Sequence, residues 1–173
     1  SFLRVLDFRY GRSYAGINRR DRLEKPIFPQ EGRCEMKGSG SMATMTSYEK
    51  ALERGIELFN ERKFFEAHQA WEPLWLCAEE PRDKQFLQGL IMAAGAFLHY
   101  MKRECTGASM LLEKSRKALE VGAGTHTEIR LDDFLQALDS LRDAFNRCAY
   151  EVPLNDLPRI ATYGRPHVQR QLY

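Results

Sequence analysis

The chain has 173 residues, of which 43% are hydrophobic and 29% are charged, and its formal net charge at pH 7 is +2. This composition is typical of one water-soluble globular domain with or without tails, and so small a net charge does not indicate a nucleic-acid partner. The longest apolar run, residues 86–101, contains Gln88 and His99 and is too short and too polar for a membrane span, so no membrane association is expected.

Charge and composition divide the chain into three parts. Residues 1–41 form a basic N-terminal extension that ends in the flexible Gly-Ser linker 38–41. Residues 42–151 form a mildly acidic helical domain, and residues 152–173 form a basic, proline-containing C-terminal tail. The linker favours an engineered junction before Met42, and the alternative is a native extension that docks through its apolar side chains.

Hydrophobic periodicity predicts five helices in the central region, and no segment shows the alternation of a strand. The helices are expected over about residues 46–62, 64–77, 82–103 and 106–121, with a fifth that begins near residue 132 and buries a stripe ending at Cys148. The predicted fold is all-α, a compact bundle or array of about five helices with irregular N- and C-terminal tails.

Residue types also indicate where some helices begin and end, and which helix lies at the centre of the domain. Thr46 and Glu49 form a capping box for the first helix, Gly122 ends the fourth, and Asp132 or Asp133 is expected to cap the fifth. The third predicted helix is apolar round most of its circumference, which places it at the centre of the domain.

The second predicted helix carries the most unusual segment, FFEAHQAWEPLW, over residues 64–75. At helical spacing His68, Glu72 and Trp75 fall on one face, and an imidazole and a carboxylate four residues apart can touch or share a metal ion. Pro73 removes one backbone donor and is expected to kink the helix or to start a new first turn. Catalytic zinc usually takes three protein ligands, so this pair needs a third.

The third predicted helix offers that ligand, because Gln88, Gly95 and His99 lie along one of its stripes and Gly95 leaves space between them. If the stripe faces the second helix, the polar groups converge on one pocket. The hypothesis is a divalent metal ion (zinc, manganese or nickel) that activates water for hydrolysis. Its candidate ligands are His68, Glu72 and His99, and the candidate pocket residues are Glu66, Trp71, Trp75, Gln88 and Gly95.

A non-catalytic interpretation stands beside the metal hypothesis. A buried His68–Glu72 pair can simply specify how two helices pack, and Trp71 and Trp75 can belong to the core, a groove or a homodimer surface. On this interpretation the protein is a helical structural or protein-interaction module. No motif in the chain assigns a reaction, and His126 and His167 are expected to be solvated loop and tail residues.

The cysteines indicate a cellular environment. Cys34, Cys77, Cys105 and Cys148 lack the close spacing of a zinc knuckle and do not resemble a small disulfide scaffold. Cysteines without this spacing suit a reducing compartment, so a cytoplasmic location is expected.

The segment that contains His68, Trp71, Glu72 and Trp75 resembles the HxxxExxW signature of the domain of unknown function 309 family of bacteria and archaea. Further family motifs follow in order: Phe86-Leu87-Gln88-Gly89-Leu90-Ile91, His99-Tyr100, and Gly107-Ala108 before Leu111-Leu112. The resemblance covers residues 47–145 and implies a compact all-helical domain with a suspected metal-binding role for His68 and Glu72. Gln88 and His99 match recurrent family positions, whereas Gln69 and Pro73 depart from the pattern.

Overall fold

The computed structural model describes residues 47–148 and 151–163, and within them the chain forms five α-helices. They are α1 (Ser47–Asn60), α2 (Phe64–Cys77), α3 (Pro81–Met101), α4 (Cys105–Val121) and α5 (Leu131–Asn146), followed by a 3₁₀ turn, Leu154–Asp156. The all-α prediction is confirmed. The N-terminal extension, the cap at Thr46 and His167 lie outside the described residues.

The helices form an array in which each packs against its neighbours in the sequence. Helix α3 contacts both α2 and α4, and most of its side chains are buried, which confirms its predicted central position. The aromatic centre of the core is Phe59, whose ring lies 5.2 Å from that of Phe64, 5.5 Å from Phe97 and 5.7 Å from Phe134. Four of the five helices therefore meet at one buried ring.

Helix α2 has the predicted bounds, and it continues through Pro73 to Cys77. Its close approach to α1 depends on Gly55, because a Cβ at that position would collide with the indole of Trp71. The indole nitrogen of Trp71 donates a hydrogen bond of 3.2 Å to the carbonyl of Leu52, the residue one turn earlier in α1. The missing side chain at Gly55 thus leaves the space in which Trp71 packs against α1.

The cap predicted for the fifth helix is wrong. Helix α5 begins at Leu131 with Arg130 in the N-cap position, and no side chain caps it by a hydrogen bond. Asp132 and Asp133 lie in the first turn instead, where carboxylates interact favourably with the positive end of the helix dipole. Asp132 and Asp133 therefore stabilise the start of α5 through their charge and not through a capping hydrogen bond.

The segment after α5 runs irregularly along the other helices, as predicted for the part of the tail that the structure describes. The side chain of Asn60 exchanges two hydrogen bonds with the backbone of Ile160, of 2.9 and 2.8 Å. Arg62 donates to the carbonyls of Leu157 and Pro158 at 2.6 and 2.9 Å. These side chains fasten the segment to the end of α1.

The described cysteines form disulfides, which their spacing in the sequence did not indicate. Cys105, at the start of α4, and Cys148, after α5, form a disulfide with a Cα–Cα distance of 5.1 Å. Cys77 is also disulfide-bonded, so none of the described cysteines is free. Spacing along the chain could not indicate this, because the ends of two antiparallel helices meet in space while 43 residues separate their cysteines. No helix in the described ranges has the length and apolarity to span a membrane.

Candidate functional site

The two tryptophans of the signature segment, Trp71 and Trp75, lie in the hydrophobic core. Trp71 is fully buried, and Trp75 is buried with the ammonium of Lys84 lying 5.2 Å from its ring centre. Glu66, a predicted pocket residue, is exposed to solvent. The two tryptophans therefore fill the contacts of α2, whereas Glu66 lies at the surface of that helix.

His68 is buried on α2, and its ring stacks on that of Phe65 at a centroid distance of 6.4 Å. Burial lowers the pKa of His68 to about 4, because the charged imidazolium loses its hydration. Glu72 is half-buried, and burial raises the pKa of its carboxyl group. A charged pair would raise the pKa of His68 and lower that of Glu72, and both shifts run the opposite way, so these two groups do not form one.

The polar stripe of α3 faces a different neighbour from the one predicted. A Cβ on Gly95 would lie 3.2 Å from Cδ1 of Leu111 in α4, so the expected space is occupied by that side chain. His99 is buried at the end of α3, and its Nδ1 lies 2.5 Å from Oε2 of Glu104, just before α4. Its ring packs on Gly107, where a Cβ would lie 2.8 Å from Nδ1. Gly95 and His99 thus serve the contact with α4.

These placements decide which candidate residues the structure brings together. Gln88 is half-buried on α3. In the described ranges, no three side chains of the types His, Cys, Asp and Glu lie close enough together to hold a metal ion. His68, Glu72 and His99 therefore do not assemble the three-ligand set that the metal hypothesis requires.

The structure contains a histidine cluster that the sequence interpretation missed. His126, in the loop between α4 and α5, has its Nε2 2.7 Å from Oδ1 of Asp83 at the start of α3, and its Nδ1 3.2 Å from Oε1 of Glu128. The hydroxyl of Tyr48, in α1, donates to the same Asp83 oxygen at 2.8 Å. The imidazole also packs on Phe86 at a ring distance of 4.5 Å. The prediction of a solvated His126 is wrong.

The protonation of this cluster follows from its charges. Burial alone would lower the pKa of His126, but hydrogen bonds and charge from Asp83 and Glu128 outweigh it and raise the pKa. Burial alone would raise the pKa of Asp83, but the bonds from His126 and Tyr48 outweigh it and lower the pKa. Burial and the bond to Asp83 raise the pKa of Tyr48. The cluster is an ion pair that joins α1, α3 and the loop.

No local signal could have revealed the contacts among Tyr48, Asp83 and His126, because these three residues lie 35 to 78 residues apart in the sequence. The cluster contains no serine or cysteine nucleophile and lies apart from the signature motif on α2. Its polar groups bind one another and so connect α1, α3 and the loop before α5. We refer to Tyr48, Asp83, His126 and Glu128 as the His126 latch.

Comparison with known proteins adds one match. Residues 52–111 match the model of the family described as Domain of unknown function (DUF309). The matched segment runs from α1 into α4 and contains the whole signature motif, so the predicted resemblance is confirmed over that region. No curated protein and no solved structure matches the chain.

Proposed function

We propose that the helical region matching the domain of unknown function 309 family is a non-catalytic protein-interaction module, in which His68 specifies how α2 packs. The observation that carries this function is the buried, neutral imidazole of His68, around which the described residues place no group of three possible metal ligands. Polar groups in such a position serve packing specificity in several proteins.

The other polar groups of the motif support the same role. Trp71 uses its only donor on the backbone of α1, and His99 uses Nδ1 on Glu104. Both groups therefore make contacts between helices or at a helix end. An active site needs polar groups that point at a substrate.

A divalent-metal hydrolase is the competing hypothesis, with zinc, manganese or nickel held by His68, Glu72 and His99. The neutral imidazole of His68 is the form that a metal binds. The donor set nevertheless does not fit, since a catalytic zinc site usually uses three protein ligands. We therefore derive no reaction step from such an ion.

The outer side of α2 supports an interaction role. Phe65 and Leu76 are 43% and 64% exposed, and eleven residues of helix place them nearly in line on one face. They lie about 16 Å apart along the helix, so they offer a partner two separate apolar contacts and not one continuous patch.

Two variants at one position separate packing from metal binding. His68→Ala should lower the free energy of unfolding by about 2 kcal/mol, since it leaves a cavity in the contact of α2. His68→Leu refills that volume and should recover most of the loss, although leucine cannot bind a metal. Urea denaturation measures both effects.

Metal analysis of the same proteins completes the test. Wild-type protein incubated with zinc, manganese or nickel and then dialysed should retain none of the three near one equivalent. Near-stoichiometric retention by wild type that both variants abolish would show that the module proposal is wrong. Light scattering of the same samples reports whether the chain forms a homodimer.

A further inference from the structure

The disulfide between Cys105 and Cys148 differs at its two ends in access to solvent. Cys148 lies in the turn after α5 and is exposed, whereas Cys105 is the first residue of α4 and is half-buried. Thiol–disulfide exchange begins when a thiolate attacks one of the two sulfurs, and access decides which sulfur is attacked. A thiol from solution therefore meets Cys148 first.

The position of Cys105 favours it as the sulfur that leaves. Attack on Cys148 expels Cys105 as a thiolate, and a better stabilised thiolate leaves faster. Cys105 opens α4, where the positive end of the helix dipole and the amides of the first turn stabilise negative charge. The adjacent carboxylate of Glu104 lies 2.5 Å from Nδ1 of His99, a hydrogen bond that partly offsets its repulsion of a thiolate. Both ends of the disulfide thus favour the same direction of exchange.

Contacts next to the disulfide hold the two helix ends together independently of it. The hydroxyl of Ser109, in the first turns of α4, donates a hydrogen bond to Oδ1 of Asn146, the last residue of α5. The amide of Cys148 donates to the carbonyl of Phe145 at 3.1 Å, and the ring of Phe145 stacks on that of Tyr100 at a centroid distance of 4.6 Å. The two thiols would therefore stay close after reduction, which favours re-formation of the bond.

The chain beyond the disulfide is also fastened by contacts of its own. The amide of Val152 donates to the hydroxyl of Tyr100 at 3.1 Å, and that hydroxyl donates to the carbonyl of Val152 at 3.2 Å. Farther on, Asn60 and Arg62 bind the backbone of residues 155–160. Breaking the sulfur–sulfur bond therefore does not detach the segment that follows it.

We propose that this disulfide is a site of reversible thiol–disulfide exchange, in which a thiol from solution modifies Cys148. The thiol loses its proton to solvent, and its sulfur bonds to Sγ of Cys148 while the bond between Cys148 and Cys105 breaks. The electron pair of the broken bond leaves on Sγ of Cys105. The external thiol is thereby incorporated into a mixed disulfide, and Cys105 is reduced to a thiolate. The incoming thiol is the only co-reactant that this step requires.

Two further steps make the exchange reversible. The Cys105 thiolate attacks Cys148 again and expels the external thiol, which restores the disulfide. In the other direction a second thiolate attacks the external sulfur of the mixed disulfide, the two external sulfurs form a disulfide, and Cys148 leaves and takes a proton from solvent. The ratio of external thiol to external disulfide then sets the state of this pair, independently of His68 and the proposed interaction module.

The test uses the full chain and glutathione as the external thiol. After brief exposure to about 10 mM glutathione, excess N-ethylmaleimide blocks every free thiol, and mass spectrometry of the peptides locates both labels. Glutathione on Cys148 with maleimide on Cys105 should exceed the opposite labelling about tenfold. The same experiment in about 6 M urea is the control, since the unfolded chain should lose this preference.

Two results of this mapping would overturn the proposal. One is glutathione mainly on Cys105, or equally on both cysteines of the folded chain, because exposure and the leaving group would then not direct the attack. The other is a disulfide that stays intact in the folded chain but reacts in urea, because the fold would then shield the bond from thiols in solution.

Variants test the contacts that hold the two thiols together. Ser109→Ala removes the hydrogen bond to Asn146 and should lower the equilibrium constant for disulfide formation about threefold in a glutathione redox buffer. Ser140→Ala is a matched control, because it removes a hydroxyl that bonds the carbonyl of Gln136 within α5 and should leave the constant unchanged. Equal constants for the two variants would contradict the positioning of the thiols by Ser109.

A chain without this disulfide tests whether the bond is reversible or essential to the fold. The double variant Cys105→Ser, Cys148→Ser should lower the Tm by about 10 °C, because the unfolded chain loses a constraint that spans 43 residues. It should keep the helical circular dichroism and the cooperative unfolding of the wild type, since the core contacts remain. Loss of either would show that the domain cannot fold without the bond, and the proposal of reversible exchange would then be wrong.

Discussion

His68 in α2 and His126 in the loop before α5 are both largely buried, and their pKa values shift in opposite directions. His68 is buried on α2, and this burial lowers its pKa to about 4. His126 lies between Asp83 and Glu128, and these carboxylates raise its pKa despite burial. The charge of a buried histidine thus depends on whether acidic groups face it, and burial alone does not determine it.

The same contrast bears on function. The histidine inside a recognisable motif is buried with a lowered pKa, which our proposal explains as packing, and the histidine without a motif contacts acidic groups and joins three elements. A motif identifies related chains, but the contacts of each residue decide what it does. The next three predictions test this difference, starting with the largest expected effect.

Acid should destabilise the protein through His68. Its folded-state pKa lies below the unfolded value of about 6.5, so the unfolded chain binds a proton that the native chain excludes. The stability from the neutral ring is present above pH 6.5 or so and is lost as the pH falls towards 4, by roughly 3 kcal/mol. Urea denaturation of wild type and His68→Leu over this range measures the loss.

The variant should lack this part of the acid dependence while keeping the part due to carboxylates. Parallel curves for the two proteins from neutral pH to pH 4 would show that His68 is not buried as a neutral ring. An NMR titration of the imidazole provides an independent control, since His68 should remain neutral at mildly acidic pH.

His126→Leu should lower the free energy of unfolding by about 2 kcal/mol at mildly acidic pH, because it leaves Asp83 half-buried without its ion-pair partner. The folded-state pKa of His126 is raised, so its charge contributes fully below about pH 6.5 and is lost as the pH rises through the folded value. The difference between wild type and variant should therefore shrink in alkaline solution.

Urea denaturation at mildly acidic and at alkaline pH tests this prediction. Asp83 has a lowered pKa, so its own contribution is present above about pH 3.8 and fails only in stronger acid. A loss that stays the same at both pH values would mean that the ring of His126 acts by packing on Phe86 and not by its charge.

Tyr48→Phe should have the smallest effect, about 1 kcal/mol, because it removes one hydrogen bond of 2.8 Å to Asp83 and keeps the ring. A double-mutant cycle with His126→Leu measures the coupling between the two residues, which share the Asp83 oxygen. Strictly additive losses would show that the latch is not one network.

Local patterns in the sequence determined the helices of this protein. The period of apolar residues placed α2 at Phe64–Cys77 and identified α3 as the central helix, because helical geometry repeats every few residues and each turn shows which side is apolar. The shared helix face of His68 and Glu72 follows from the same geometry, since residues four apart on a helix are neighbours whatever surrounds them, whereas the family resemblance came from the motif residues themselves.

Only the tertiary structure decided which helix faces meet. Gly95 and His99 contact α4 rather than forming a pocket with α2, Cys105 meets Cys148, and His126 reaches Asp83 across 43 residues of chain. These contacts depend on how the helices cross and where the loops return, and packing of the whole core sets both. The charge of each buried histidine follows from those contacts, so one sequence predicts where these residues lie relative to the helices but not their chemistry.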